Sequence, residues 1–137
     1  FNLAKCAIPA LELLTLNKPV SRDMVVLYMN AADVMLFTSV HEGAGLVVKE
    51  AMACDLPIVS VDVGDVKEVI TGADNCYVTS RSPMEMADKI IGVLKSGRRS
   101  NGHGRIQRYE IDNIATRIVN EVYNRVSPQR TQSAQRL

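Results

Sequence analysis

Apolar residues in this chain come in short unbroken blocks, separated by stretches in which they recur at helical spacing. The blocks are Val34 to Phe37, Ile58 to Val61 (broken only by Ser60) and Cys76 to Val78. An unbroken apolar block is what a strand shows when both faces of its sheet are covered. The pattern predicts strands over residues 33–37, 58–61 and 76–79. It predicts a fourth over residues 11–16, although Glu12 sits inside that run. Helical spacing marks a short helix end at residues 2–10 and helices over residues 21–31, 44–54, 66–70, 82–95 and 111–126. Ser21 reads as an N-cap with Asp23 in its first turn. Asp65 and Glu68 stand three apart as in a capping box with Asp as the cap. Pro83 follows Ser82 at a first helical position. The last helix carries Ile114, Ile118, Val122 and Val126 on one face. Residues 96–104, rich in Gly, Ser, Arg and Asn, read as an exposed connection. Residues 127–137 read as a disordered tail.

Strands that alternate with helices imply a parallel sheet flanked by helices, an α/β domain of Rossmann-like architecture. The 137 residues fit one domain, expected to span residues 1–126. In such folds ligands bind off the carboxyl ends of the strands. The loop Thr38 to Gly45 lies at one of those ends, and its stretch Glu42-Gly43-Ala44-Gly45 is not what a packed core needs.

Charge and composition narrow the field. Sixteen basic and fifteen acidic side chains leave a net charge of +1. That balance gives no electrostatic case for a nucleic-acid partner. Cys6, Cys54 and Cys76 are widely spaced, with no CxxC pair. They read as reduced core thiols and point to a reducing, cytoplasmic compartment. No apolar run approaches the ~20 residues of a membrane span. The chain opens on Phe1 with no signal segment, so it is expected to be part of something longer. No group of side chains has metal-ligand spacing; Asp62, Asp65 and Glu68 read as turn and cap residues. The six methionines read as core filling. Arg98, Arg99, Arg105 and Arg108 read as a solvated face, His41 as a polar loop residue, and His103 carries no assignment.

Gly43 and Gly45 let a backbone approach a ligand closely. The helix that follows leaves N–H groups without partners and carries partial positive charge, which suits a phosphate. The same pattern also fits a tight strand-to-helix turn, and GxGxxG is not completed, since position 48 is Val. Glu42 precedes the helix, and Glu50 lies roughly 8 Å further along it at ~1.5 Å per residue. A carboxylate there is a good partner for a ribose diol.

At these residues the chain resembles a known family. Glu42 and Glu50, then Ala51-Met52-Ala53-Cys54, Leu56-Pro57-Ile58-Val59-Ser60, Asp62-Val63-Gly64 and Glu68, are similar to the C-terminal domain of the retaining GT-B glycosyltransferases of family 4, or group 1. Upstream, Tyr28 to Val34 and then Ser39 resemble the family's YxxADVxxxPS run. The resemblance covers residues 21–126.

It implies that Glu42 lies near the donor sugar and supports the reaction centre. It implies that backbone amides of Gly43, Ala44, Gly45 and Leu46 hold the diphosphate, that Val47 lies near the ribose, and that Glu50 binds the ribose. The loop from Lys18 to Arg22 would border the nucleobase. The donor would be a UDP-sugar or GDP-sugar, with no metal and no other cofactor, transferred with retention to an acceptor hydroxyl, as in polysaccharide biosynthesis. An N-terminal acceptor domain would be the partner, and the full-length protein would make peripheral contact with the inner face of a membrane. The chain departs from the family at Asp55 and at Asp65, where glycine is usual. The family's basic pair, an Arg and a Lys that clasp the diphosphate, would lie before Phe1. Two other readings stand beside this one: an epimerase-like protein on the GT-B fold, and a non-catalytic nucleotide-binding module.

Overall fold

Three short parallel strands lie side by side in chain order: β1 (Met35–Phe37), β2 (Ile58–Val61) and β3 (Tyr77–Thr79). The computed structural model describes residues 1–123, in two compact units, Phe1–Ile106 and a second that starts at Gln107. The first unit also holds α1 (Asn2–Ala7), α2 (Arg22–Ala31), α3 (Leu46–Ala53), α4 (Val66–Ile70), α5 (Pro83–Ser96) and α6 (Gly102–Ile106). A parallel sheet with flanking helices is the expected Rossmann-like α/β arrangement.

Register explains which face packs where. Leu36, Val59 and Tyr77 form one row across the sheet. That row packs on Ala4 of α1 and on Ala87, Ile90 and Val93 of α5. Side chains alternate along a strand, so Ile58 and Ser60 point to the opposite face. There Val48, Met52, Val66 and Ile70 are fully buried. Each such apolar side chain stabilises the fold by about 1.5–3 kcal/mol. All four residues of β2 are buried, and the central strand anchors both layers.

The local signals work where a side chain meets its own backbone. Ser21 Oγ accepts from the Met24 N–H and Ser82 Oγ from the Glu85 N–H, so both caps form as expected. Asp55 takes the left-handed angle that ends α3, with φ 52°. Its carboxylate also accepts from the His103 N–H at 2.7 Å, where α6 begins.

Several expectations need correction. Residues 11–16 form no strand: Leu13, Leu14 and Leu16 are about half exposed, and no ladder pairs with them. A strand needs a neighbour, and among the described residues β1 bonds to β2 alone. α3 begins at Leu46, not Ala44, because Gly45 is its N-cap. Asp65 makes no capping bond to α4; its carboxylate is drawn elsewhere, as described below. The methionines divide: Met29 and Met52 are buried, whereas Met24 and Met84 are exposed. Cys6 is exposed, unlike Cys54 and Cys76. The last helix is α-helical only over α7 (Ile111–Ile118), then π-helical over Val119–Tyr123. Residues 124–126 of that predicted helix and the predicted tail 127–137 lie outside the described residues.

The predicted connection over residues 96–104 is exposed except at Ser100 and Gly102, and it is tied down as a strap along the amino ends of the strands. Its Ser100 N–H donates to Asp55 O at 2.9 Å. Asn101 Oδ1 accepts from the Asp74 N–H, and the Asn75 amide donates to the carbonyls of Arg98 and Arg99. Arg98, Arg99, Arg105 and Arg108 are exposed, as expected, but Arg99 is also engaged by the fold: its guanidinium donates to the carbonyls of Met29, Asn30 and Ala32 and to that of Cys54. Arg105 donates to Thr71 O, and His103 Nδ1 bonds Ala53 O. The Cys76 thiol bonds the strap's Ser100, and burial raises its pKa above the ordinary thiol value. It therefore stays protonated at neutral pH. A thiol reagent at pH 7.5 is expected to modify Cys6 at least about tenfold faster than Cys76, since the thiolate is the reacting form. Mass spectrometry of the labelled peptides checks this, and equal rates would contradict it.

Candidate functional site

Three loops meet at the carboxyl ends of the strands: residues 38–45 after β1, 62–65 after β2 and 80–82 after β3. The strap lies at the opposite end of the sheet. The three loops are tied to one another. Arg81 donates to Ser39 O at 2.8 Å and to Thr38 O at 3.4 Å, bracing the first loop from the third. Ser39 Oγ in turn bonds His41 O, and the His41 side chain is exposed.

The second loop lies directly against the first. Gly64 has φ +55°, and a Cβ there would stand 2.5 Å from Gly43 O and 2.8 Å from Glu42 O. The Glu42–Gly43 backbone thus rests on the bare Cα of Gly64. Gly43 is the reverse case. Its φ is not left-handed, and an added Cβ would meet nothing within 4 Å. The fold has a steric reason for glycine at 64 and none at 43. Open space in front of Gly43 lets another molecule reach the backbone.

Glu42, Gly43 and Ala44 are exposed, Gly45 is buried, Leu46 is exposed and Val47 is half-buried. Glu50 is exposed, one turn on from Leu46, so both lie on the side of α3 opposite Val48, Ala51 and Met52. Helix geometry leaves the N–H groups of Leu46 and Val47 without an intrahelical acceptor. The Gly45 N–H is engaged: it donates to Asp65 Oδ1 at 3.1 Å, and Lys49 pairs with the other oxygen, Oδ2. Lys49 lies four residues after Gly45, and helical side chains lean toward the N-terminus, which brings its ammonium back to this point. Asp62 pairs with Lys67 at 3.5 Å. Among the described residues no cluster of three His, Cys, Asp or Glu stands ready to hold a metal ion. No helix among them is long and apolar enough to cross a membrane.

Sequence reasoning placed the loop Thr38 to Gly45, with Glu42, at a strand's carboxyl end and Glu50 inside the helix that follows, as the structure has them. It missed Asp65, Lys49 and Arg81 as parts of the same assembly. The signal for Asp65 was an acid directly after a glycine at the end of a neighbouring strand. Nothing local marked Arg81, whose partners are more than forty residues away.

Comparison with known proteins adds an independent line. The family model of the group 1 glycosyl transferases matches residues 5–96. The D-inositol 3-phosphate glycosyltransferase of Mycolicibacterium vanbaalenii is 32% identical over 103 residues, 74% of this chain and 22% of that protein. The enzyme of the same name from Geodermatophilus obscurus is 34% identical over 84 residues, 61% of this chain and 19% of that protein. The N-acetyl-alpha-D-glucosaminyl L-malate synthase of Bacillus anthracis is 37% identical over 75 residues, 54% of this chain and 20% of that protein. The matched part spans about a fifth of the length of these curated relatives. No solved structure matches the chain.

Proposed function

The chain belongs to the group 1 glycosyl transferases, and from that premise we propose that it forms the nucleoside-diphosphate-sugar site of a retaining GT-B enzyme. In this reading the chain is the C-terminal, donor-binding half, and the acceptor domain lies elsewhere in the full-length protein. The observation that carries it is the loop Glu42 to Gly45, seated on Gly64 at the carboxyl ends of adjacent parallel strands, with Gly43 open to an incoming molecule.

Roles follow from position. The diphosphate of a UDP-sugar or GDP-sugar lies against the backbone from Gly43 to Leu46, where the start of α3 carries partial positive charge. Val47 flanks the ribose, and the Glu50 carboxylate accepts from its hydroxyls. Glu42 stands by the sugar. As the glycosidic bond breaks, negative charge grows on the departing diphosphate. Amides already aimed at it stabilise that charge without reorganising. The metal-free donor set of the resemblance suits this arrangement, since backbone amides and a helix end supply the positive potential.

The test is a titration of isotopically labelled chain with UDP, GDP, UDP-GlcNAc and GDP-mannose, followed by NMR. Shifts should cluster at residues 42–50 with one base preferred. Glu50→Ala should weaken that binding at least about tenfold, the scale of a charged hydrogen bond of 1.5–3 kcal/mol. A folded chain that shows no shift with any of the four at millimolar concentration would overturn the donor-site reading.

A further inference from the structure

The Asp65 carboxylate bridges the first turn of α3. Its Oδ1 accepts from the Gly45 N–H at the start of α3, and its Oδ2 pairs with Lys49. An amide N–H at a helix start with an ammonium beside it is what a phosphate oxygen seeks. The arrangement is partly withdrawn from water, the side chains of Lys49 and Asp65 being 13% and 28% exposed. A charge pair there is screened less than one on the open surface. Asp65 is also released from the other task its position offers: it makes no capping bond to α4, although it is that helix's N-cap. Gly64 explains how the carboxylate arrives. Its left-handed backbone lays the β2–α4 turn against Glu42 and Gly43, within reach of the Gly45 amide.

We propose that Asp65 is a built-in competitor that sets the affinity of this site for the donor's diphosphate. Without nucleotide the carboxylate holds the Gly45 amide and Lys49. A diphosphate that settles on α3 must displace it, or bind against its charge. Once Asp65 swings away, Lys49 is left beside the incoming phosphate. The proposal rests on the donor-site reading and adds to it a residue that tunes specificity: a compact dianionic phosphate group can outcompete a single carboxylate where a weaker anion cannot.

The experiment compares the full chain with Asp65→Asn, Asp65→Gly and Lys49→Met by calorimetric titration with UDP, GDP and inorganic pyrophosphate at fixed ionic strength. Thermal melts confirm that each is folded. Removing one negative charge a few ångströms from the phosphates should tighten binding of Asp65→Asn at least about tenfold, the weaker end of a close charge–charge interaction. Lys49→Met should bind at least about fivefold more weakly. The Gly45 amide resonance should move on adding UDP to the unmodified chain, as its acceptor changes from carboxylate to phosphate. If Asp65→Asn fails to fold, Asp65→Gly carries the same prediction. Unmodified chain that binds UDP or GDP while the folded Asp65 variant binds equally or less well overturns the proposal and leaves the donor site standing; Asp65 is then only a brace. Unmodified chain that shifts at residues 42–50 by NMR but binds too weakly to titrate by calorimetry, together with calorimetric binding by the Asp65 variant, supports it. No binding by any folded form overturns the donor-site reading and this inference with it.

Discussion

Arg99→Ala is expected to destabilise the chain by about 3 kcal/mol, a large share of the 5–15 kcal/mol that holds a domain together. The guanidinium donates to Ala32 O at 2.6 Å and Cys54 O at 2.7 Å, and more loosely to Met29 O and Asn30 O. Those carbonyls belong to the last turn and C-cap of α2 and to the C-cap of α3. Helix ends leave carbonyls without partners and carry partial negative charge, so a cation there is doubly favourable. Hydrogen bonds to charged groups contribute about 1.5–3 kcal/mol each. These are not additive, and water reaches some of the freed carbonyls, so a net loss near 3 kcal/mol is expected rather than the sum. A loss of that size would lower the melting temperature by roughly 10 °C in a chain of this length.

The contrast is with Arg98, whose side chain makes no hydrogen bond among the described residues; Arg98→Ala should stay within about 0.5 kcal/mol of the unmodified chain. Arg99→Lys should recover less than half of the loss, because one ammonium cannot span both helix ends as a planar fork does. Urea denaturation of the three variants checks the ranking. Equal stability of Arg99→Ala and Arg98→Ala would mean the strap is dispensable.

Gly64→Ala is expected to act at the other end of the sheet, on stability and ligand binding together. An L-residue with φ near +55° costs about 1–2 kcal/mol. The new Cβ would also stand 2.5 Å from Gly43 O and 2.8 Å from Glu42 O. Both obstacles are backbone, so no side chain can swing aside. The Glu42–Gly43 segment must move, and a destabilisation of about 2–4 kcal/mol is expected in all. The displaced segment is the one proposed to hold the donor, so any nucleotide affinity should fall at least about tenfold, the scale of one lost hydrogen bond to a charged group. Gly43→Ala is the control. Its Cβ meets nothing and its φ needs no glycine, so stability should hold while nucleotide binding falls. If Gly43→Ala leaves binding intact, the open space before it serves no ligand.

The two substitutions separate what could be read along the chain from what could not. The strand at residues 58–61 and the helix at 66–70 matched the structure to the residue, because an unbroken apolar block and a five-residue helix between breakers are local signals. Ser21 and Ser82 capped as expected because an N-cap needs only an N–H three residues away. The placement of the loop Thr38 to Gly45 at a strand's carboxyl end, with Glu50 in the next helix, followed from the same alternation of elements. Residues 11–16 failed for the complementary reason. Their apolar character described a strand, but a strand exists only when another lies beside it.

What the sequence determined by itself is therefore the order and type of the central elements, the parallel Rossmann-like sheet, and the position of the loop 38–45 at the carboxyl end of β1. Each follows from contacts within a few residues or from the burial of both sheet faces. Tertiary structure alone decided the fate of the charges. Asp65 had an adjacent helix to cap and went instead to Gly45 and Lys49, twenty and sixteen residues away. Arg99 had solvent beside it and went to four carbonyls on two helices. A carboxylate or guanidinium takes whichever partner the packed backbone brings within about 3 Å, and that choice is made in space, by turns such as Gly64, rather than along the chain.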